Sequence, residues 1–204
     1  MKTSLTAMAL ILSLAACTTA TPPASEIPAA SAQSESMTEA ERLNAFFEEQ
    51  FEQSVARSPQ TQTFLGIKTD YDKWDDASDE HAVEDFQLLT EAYETMTSEF
   101  DFDALDDSAK LSYRLFEYQY RQAERAFPFR DFSYTFDQMN GEQSGIPAFM
   151  INQHRIASLS DAKDYIARLN GIDEHLGQHI ENAKRSAEAG IRPPRFVYDY
   201  VIND

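Results

Sequence analysis

The chain has 204 residues and is strongly acidic, with 17 Lys and Arg against 35 Asp and Glu and a formal net charge of -18 at pH 7. Such a charge repels nucleic acid and anionic lipid head groups, so neither is expected as a partner. The single cysteine excludes an intramolecular disulfide. The length of the chain allows one domain or a part of a larger one.

The first residues are typical of an export signal. Lys2 precedes an almost purely apolar run over residues 5–14, and the small residues Ala15 and Ala16 follow it. A basic end, a short apolar core and a small-residue cleavage site define a signal peptide. The core is too short to remain as a transmembrane helix, which needs about 20 residues. We therefore predict a signal peptide over residues 1–16 that is removed.

The cleavage site is also a candidate lipidation site. The sequence Leu14-Ala15-Ala16-Cys17 resembles the lipobox of bacterial lipoproteins, which implies lipid transfer to Cys17. Several acyl chains would make a durable anchor, since each buried methylene contributes about 0.8 kcal/mol. An Asp directly after the cysteine resembles the signal that keeps lipoproteins in the inner membrane. Thr18 stands at that position, which in a Gram-negative organism favours the outer membrane, with the protein facing the periplasm. An ordinary signal peptide with a coincidental cysteine is the alternative.

Residues 17–36 are predicted to be a flexible tether, because they consist largely of Ala, Thr, Ser and Pro. A helical body over residues 37–204 follows. Thr38 and Glu41 have capping-box spacing, and apolar residues recur on one helix face until Ser58-Pro59. A loop rich in turn-forming residues is expected next.

Two further helices follow this loop. Ser78 or Asp79 is expected to open one of them, and Asp106 or Asp107 to cap the other. The second of these helices carries two apolar stripes, one of Leu111, Leu115 and Tyr118 and one of Tyr113, Phe116, Tyr120 and Phe127. A helix that is apolar on two sides needs partners on both, which indicates a larger body.

Helical periodicity fails between Phe127 and Gln143, where a run rich in aromatic residues is followed by a run rich in amides. Polar groups among aromatics in a non-repetitive segment can line a substrate cleft, and the candidates for cleft lining are Gln138, Asn140, Gly141 and Gln143. Packing between helices is the competing interpretation, and it is the more common role of such clusters.

The remaining sequence is also helical in pattern. A short helix is predicted over residues 146–152 with Pro147 in its first turn. Ser160 is expected to cap one long helix that ends at Gly190. Its predicted buried face is an apolar stripe of Tyr165, Leu169, Ile172, Leu176, Ile180, Ala183 and Ala187. Residues 195–204 form a last helical segment. No strand emerges, so the fold class is all-α, an irregular multi-helix array.

His175 and His179 are four residues apart, a spacing at which two imidazoles can share a zinc ion. The peptidase motif His-Glu-x-x-His needs a glutamate directly after the first histidine, and Leu176 stands there. Both histidines are predicted at the flank of the buried face, as ordinary border residues. No metal ligand and no catalytic residue is assigned in this chain.

The order of several landmarks resembles the N-terminal part of the bacterial DUF885 family. The matching segments, which span nearly all of the chain after the tether, are Ser58-Pro59, Tyr71-Asp72-Lys73-Trp74-Asp75-Asp76, Leu111-Ser112-Tyr113, Gln138-Met139-Asn140-Gly141, Ile146-Pro147-Ala148-Phe149, Asp161-Ala162-Lys163-Asp164-Tyr165, Ala167-Arg168-Leu169 and Pro193-Pro194-Arg195-Phe196-Val197.

The resemblance implies a helical, zinc metallopeptidase-like protein of the gluzincin type. In that family the zinc motif lies in the C-terminal half, beyond the region that this sequence resembles. We therefore expect this chain to be the scaffold and cleft wall of such a protein, with zinc and a peptide substrate bound in the full-length parent and the chain alone inactive. The alternative is a non-catalytic periplasmic lipoprotein that binds a ligand or a protein.

Overall fold

The computed structural model describes residues 37–203, and all of the regular structure in that range is helical. The α-helices are α1 (Glu39–Ala56), α2 (Pro59–Phe64), α3 (Asp79–Glu99), α4 (Asp107–Ala126), α5 (Glu142–Asn152), α6 (Leu159–Asn170), α7 (Ile172–Glu188) and α8 (Arg195–Asn203). Short 3-10 turns at Phe102–Ala104 and Phe127–Phe129 flank α4. The predicted all-α class is confirmed.

Local capping explains where the first long helices begin. The backbone N–H of Glu41 donates to the Thr38 hydroxyl over 3.2 Å, and the Thr38 backbone N–H donates to the Glu41 carboxylate over 2.7 Å. Ser78 caps α3 and Asp106 caps α4 in the same manner, each accepting from a backbone N–H of the first turn. These predicted helix starts are confirmed, because a cap depends only on residues within one turn.

One helix was not predicted, and two predicted boundaries were wrong. Ser58-Pro59 ends α1 as expected but also opens α2, since proline is favoured at a first helical position and the Ser58 hydroxyl accepts from the Thr61 N–H. Helix α5 begins at Glu142, so Pro147 lies inside the helix and not in its first turn. The cap of α6 is Ser158, two residues before the predicted one.

The single long helix predicted between residues 160 and 190 is two helices, broken at Gly171. The Trp74 indole N–H donates to the Arg168 carbonyl over 2.7 Å, which occupies an acceptor of the last turn of α6. A Cβ at Gly171 would lie 3.3 Å from the Trp74 ring. The contact that ends α6 therefore comes from a distant loop. The predicted end at Gly190 is confirmed by its positive φ of 84°.

The core lies between α1, α3 and α4. Leu43, Met96, Leu105 and Ala109 are buried together, and aromatic side chains including Phe46 and Phe116 pack around them. The other apolar stripe of α4 remains exposed, with relative exposures of 70% for Leu111, 53% for Leu115 and 60% for Tyr118. Helix α4 thus has more apolar surface than residues 37–203 cover, as its sequence predicted.

None of the helices within residues 37–203 combines the length and apolar character that crossing a bilayer would require. The predicted signal peptide, the tether and the lipidation site at Cys17 lie outside the described residues.

Candidate functional site

The loop over residues 71–76 is held in place by a buried arginine of α6. Arg168 has no exposed surface, and its guanidinium donates twice to the Lys73 carbonyl, over 2.9 and 2.7 Å. It also donates to the Thr63 hydroxyl over 3.1 Å and to His154 Nδ1 over 3.0 Å. All of these acceptors are neutral, and burial lowers the pKa of Arg168. One side chain thus joins α6, α2 and the loop.

The tautomer of His154 follows from this contact. Because Arg168 donates to Nδ1, the proton of the neutral ring is on Nε2, which faces the Asp161 carbonyl at 3.2 Å. Burial, and to a lesser degree the charge of Arg168, lowers the pKa of His154. The Asp161 carboxylate accepts from Lys68 over 2.8 Å, and this contact is the main cause that lowers the pKa of Asp161 to about 2.

Helix α7 contacts the far end of the same loop through a row of polar side chains. The His175 ring stacks on Trp74, with centroids 4.8 Å apart and planes 12° from parallel. The Gln178 amide accepts from the Ala77 N–H and donates to Asp76, each over 2.9 Å. Asn182 donates to the Ala77 carbonyl over 2.8 Å. These contacts fix the acidic loop against α7.

The predicted position of His175 at the flank of the buried face was wrong. Its relative exposure is only 5%, whereas Leu169 and Ile180 of the predicted apolar stripe are exposed. Burial, followed by the neighbouring His179, lowers the pKa of His175 to about 4. The ring is therefore neutral at pH 7. Its Nε2 lies 3.3 Å from His179 Nε2, which in turn lies 3.8 Å from the Glu142 carboxylate.

Zinc, which the family resemblance implies, does not fit the residues around this histidine pair. Across residues 37–203, no three His, Cys, Asp or Glu side chains are grouped so that they could hold a metal ion. The two imidazoles contact each other through their Nε2 atoms, which lie 3.3 Å apart.

Next to this pair, a polar cleft of about 310 Å³ opens between the start of α3, the segment from Arg130 to Glu142, and α7. Its charged side chains are joined in a chain of ion pairs. Arg130 Nε lies 2.8 Å from Asp79, Arg185 lies 3.2 Å from the same carboxylate, and Arg185 Nε lies 2.8 Å from Asp131. The contact with Arg130 is the largest cause that lowers the pKa of Asp79.

The uncharged lining gives the cleft its binding chemistry. Asn182 of α7 contributes an amide, and the loop contributes the hydroxyls of Ser133 and Thr135 and the amide of Asn140. Donors and acceptors both line this space, in which the Asp and Arg side chains are paired with one another and the Glu142 carboxylate lies 3.8 Å from His179. Such a lining suits a neutral polar ligand with both kinds of group, such as a peptide main chain.

Of the four residues predicted to line a cleft, Asn140 lines this one, whereas Gln138 is exposed and is not part of its lining. The other two shape the turn. Gly141 is buried before α5, and a Cβ there would lie 2.5 Å from the backbone nitrogen of Asp137. The Gln143 amide donates to the Asp137 carbonyl over 2.6 Å. Both therefore hold the loop in the conformation that presents Asn140.

The charged residues of the cleft were missed by the sequence analysis. Asp79 lies 51 residues from Arg130 along the chain, and Arg185 lies 54 residues from Asp131. None of these residues belongs to a short motif, so their grouping has no local signal. Arg168, at the centre of the neighbouring network, could have been selected from the sequence, since it lies in one of the segments that carried the family resemblance.

The fold and the cleft together define an all-α protein in which a helix face holds an acidic, tryptophan-containing loop beside a polar cleft. The family model described as bacterial protein of unknown function (DUF885) matches residues 59–204, which is more than half of the chain. The chain belongs to this family. No curated protein and no solved structure shows significant similarity to it.

Proposed function

We propose that this chain is the scaffold and one wall of the substrate cleft of an exported, lipid-anchored peptidase of the zinc-dependent class. Zinc, the activated water and the general base would come from sequence outside residues 37–203. Peptide hydrolysis is the reaction class, and the chain by itself is inactive. Cys17 would carry the lipid, on the periplasmic side of the outer membrane.

The uncovered apolar surface is the observation that carries this proposal. Besides the exposed stripe of α4, helix α8 exposes Phe196, Tyr200 and Ile202. Contiguous apolar surface of this kind marks an interface in a soluble protein. A further helical part of the same protein would cover both faces and would bring its own side chains to the cleft.

The cleft supplies the groups that a peptide substrate needs from a wall. The amides of Asn140 and Asn182 offer donors and acceptors for a peptide main chain, and the Asp and Arg side chains of the cleft are paired with one another. An apolar groove of about 350 Å³, lined in part by Ile180 and Val197, adjoins the cleft across Ser186. This groove would accept an apolar side chain of the substrate.

The test compares two polypeptides, the 204-residue chain and the product of its gene expressed through to the stop codon. We expect one zinc per molecule and cleavage of unstructured peptides only from a longer product. Replacing Asn140 by Ala in that product should raise KM more than it lowers kcat, since the residue binds and does not react. A stop codon directly after Asp204, or stoichiometric zinc with cleavage in the chain alone, would overturn the proposal.

The alternative is a non-catalytic periplasmic lipoprotein that binds a ligand or a protein. It is favoured by the charge pairing in the cleft, where Asp79, Arg130 and Arg185 are all engaged in structural ion pairs. The same comparison separates the two functions, because a binding protein would end at Asp204 and would hold its ligand without cleavage.

A further inference from the structure

A second cavity, separate from the polar cleft, lies between α1, α3 and α4, and its volume is about 730 Å³. Phe47 and Phe116, which pack against the core, line it at one end. Arg57 lines the other end, where it joins the end of α1 to α3 by contacting Asp85 over 2.6 Å. The volume falls within the range of about 300 to 1,000 Å³ that is common for sites of small organic ligands.

Between these ends the cavity has apolar walls. The aliphatic and aromatic side chains that line it are Phe47, Phe51, Leu88, Leu89, Leu115 and Phe116. Phe51, Leu88 and Leu115 are exposed, so that residues 37–203 leave their apolar surface uncovered. Covering this surface with an apolar ligand would be favourable in proportion to the area removed from water.

The end of the cavity at Arg57 is polar and carries an excess of negative charge. Arg57 donates to Asp85, to Glu84 over 3.3 Å and to His81 Nδ1 over 3.1 Å. Asp75 and Asp76 also line this end. One guanidinium therefore stands among four carboxylates, and three of them, Asp75, Asp76 and Asp85, line the cavity.

The sign of this charge selects the ligand. An anionic group would be repelled by the surplus carboxylates, whereas an ammonium group would be attracted to them. We propose that the cavity binds a small amphiphilic cation, with its alkyl or aromatic body along the apolar walls and its ammonium group at the end formed by Arg57 and Asp85. This site is formed by residues 37–203 alone, and a further helical part over the α4 stripe would add a wall to it beside Leu115.

The test measures binding of dodecylammonium chloride to the full chain by titration calorimetry, below the micellar concentration. Dodecyl sulfate has the same tail and the opposite charge. It should bind at least about threefold more weakly, because a charge contact that is partly screened by solvent changes the affinity by about that factor. We expect one dodecylammonium per chain. Asp85→Asn should reduce the preference for the cation.

Two leucines of α4 provide a matched pair of variants. Leu115 lines the cavity, whereas Leu111, one turn earlier on the same exposed stripe, does not. Leu115→Gln should weaken dodecylammonium binding about fivefold or more, because one apolar contact is lost. Leu111→Gln should leave it unchanged, and both variants should melt like the parent chain.

Three results would overturn the proposal. They are no binding of dodecylammonium, equal binding of dodecyl sulfate, and an equal effect of Leu115→Gln and Leu111→Gln. The last result would mean that the amphiphile only adsorbs to the exposed stripe of α4.

Discussion

We expect acid to lower the free energy of unfolding of this chain through protonation of His175, by an amount that can be calculated. The folded chain holds the pKa of His175 at about 4, because the ring is buried between Trp74 and His179. In the unfolded chain the ring titrates near its ordinary pKa of about 6.5. Protons therefore bind preferentially to the unfolded state. Stability is unaffected above about pH 6.5 and is lost as the pH falls from there toward 4.

The magnitude follows from the separation of the two pKa values. Each unit corresponds to about 1.4 kcal/mol, so the full loss from His175 is about 3 kcal/mol below pH 4. At pH 5 the loss has reached about 2 kcal/mol. His154 acts in the same direction, since burial lowers its pKa as well. A comparison with a variant is therefore needed to isolate His175.

The assay is urea unfolding at pH 7.5 and pH 5.0, for the parent chain and for His175→Gln, whose amide does not titrate. Trp74, the only tryptophan, reports on the site by fluorescence, and circular dichroism reports on the helices. The free energy of unfolding of the parent chain should fall by about 2 kcal/mol more than that of the variant. If both proteins lost the same stability, the buried neutral state of His175 would be refuted.

Further substitutions test the other structural claims. Arg168→Met should cost about 3 kcal/mol or more in urea unfolding, because it leaves buried acceptors without a donor; a cost under about 1 kcal/mol would contradict the role of that side chain. Gly141→Ala should cost about 1 to 3 kcal/mol, since the added Cβ collides with a backbone, and an equally stable variant would show that the turn adapts. Replacing Leu111 and Tyr118 together by Gln should reduce self-association in sedimentation experiments without lowering the melting temperature, and unchanged association would place the contact elsewhere. Cys17→Ser should release the protein from the membrane fraction, and continued attachment would rule out a lipid on that residue.

The sequence by itself determined the features that depend on neighbouring residues. The capping residues Thr38, Ser78 and Asp106 set the starts of α1, α3 and α4, since a cap needs only the following turn. The two stripes of α4 predicted that both faces need partners, because periodicity on a helix is local, and residues 37–203 leave one of these faces uncovered. The ordered landmarks were enough to reach the family, which the family model confirms.

Only the tertiary structure determined where α6 ends and which side chains are buried around that point. Trp74 contacts the Arg168 carbonyl across 94 residues of sequence, and this contact, with the small Gly171, splits a continuous helical pattern into α6 and α7. Apolar periodicity favoured Leu169 and Ile180 for the interior, yet Arg168 and His175 occupy it. Their burial is tolerable only because hydrogen-bond acceptors and a stacking partner from distant segments meet there. Such compensation depends on positions in space that no local pattern encodes.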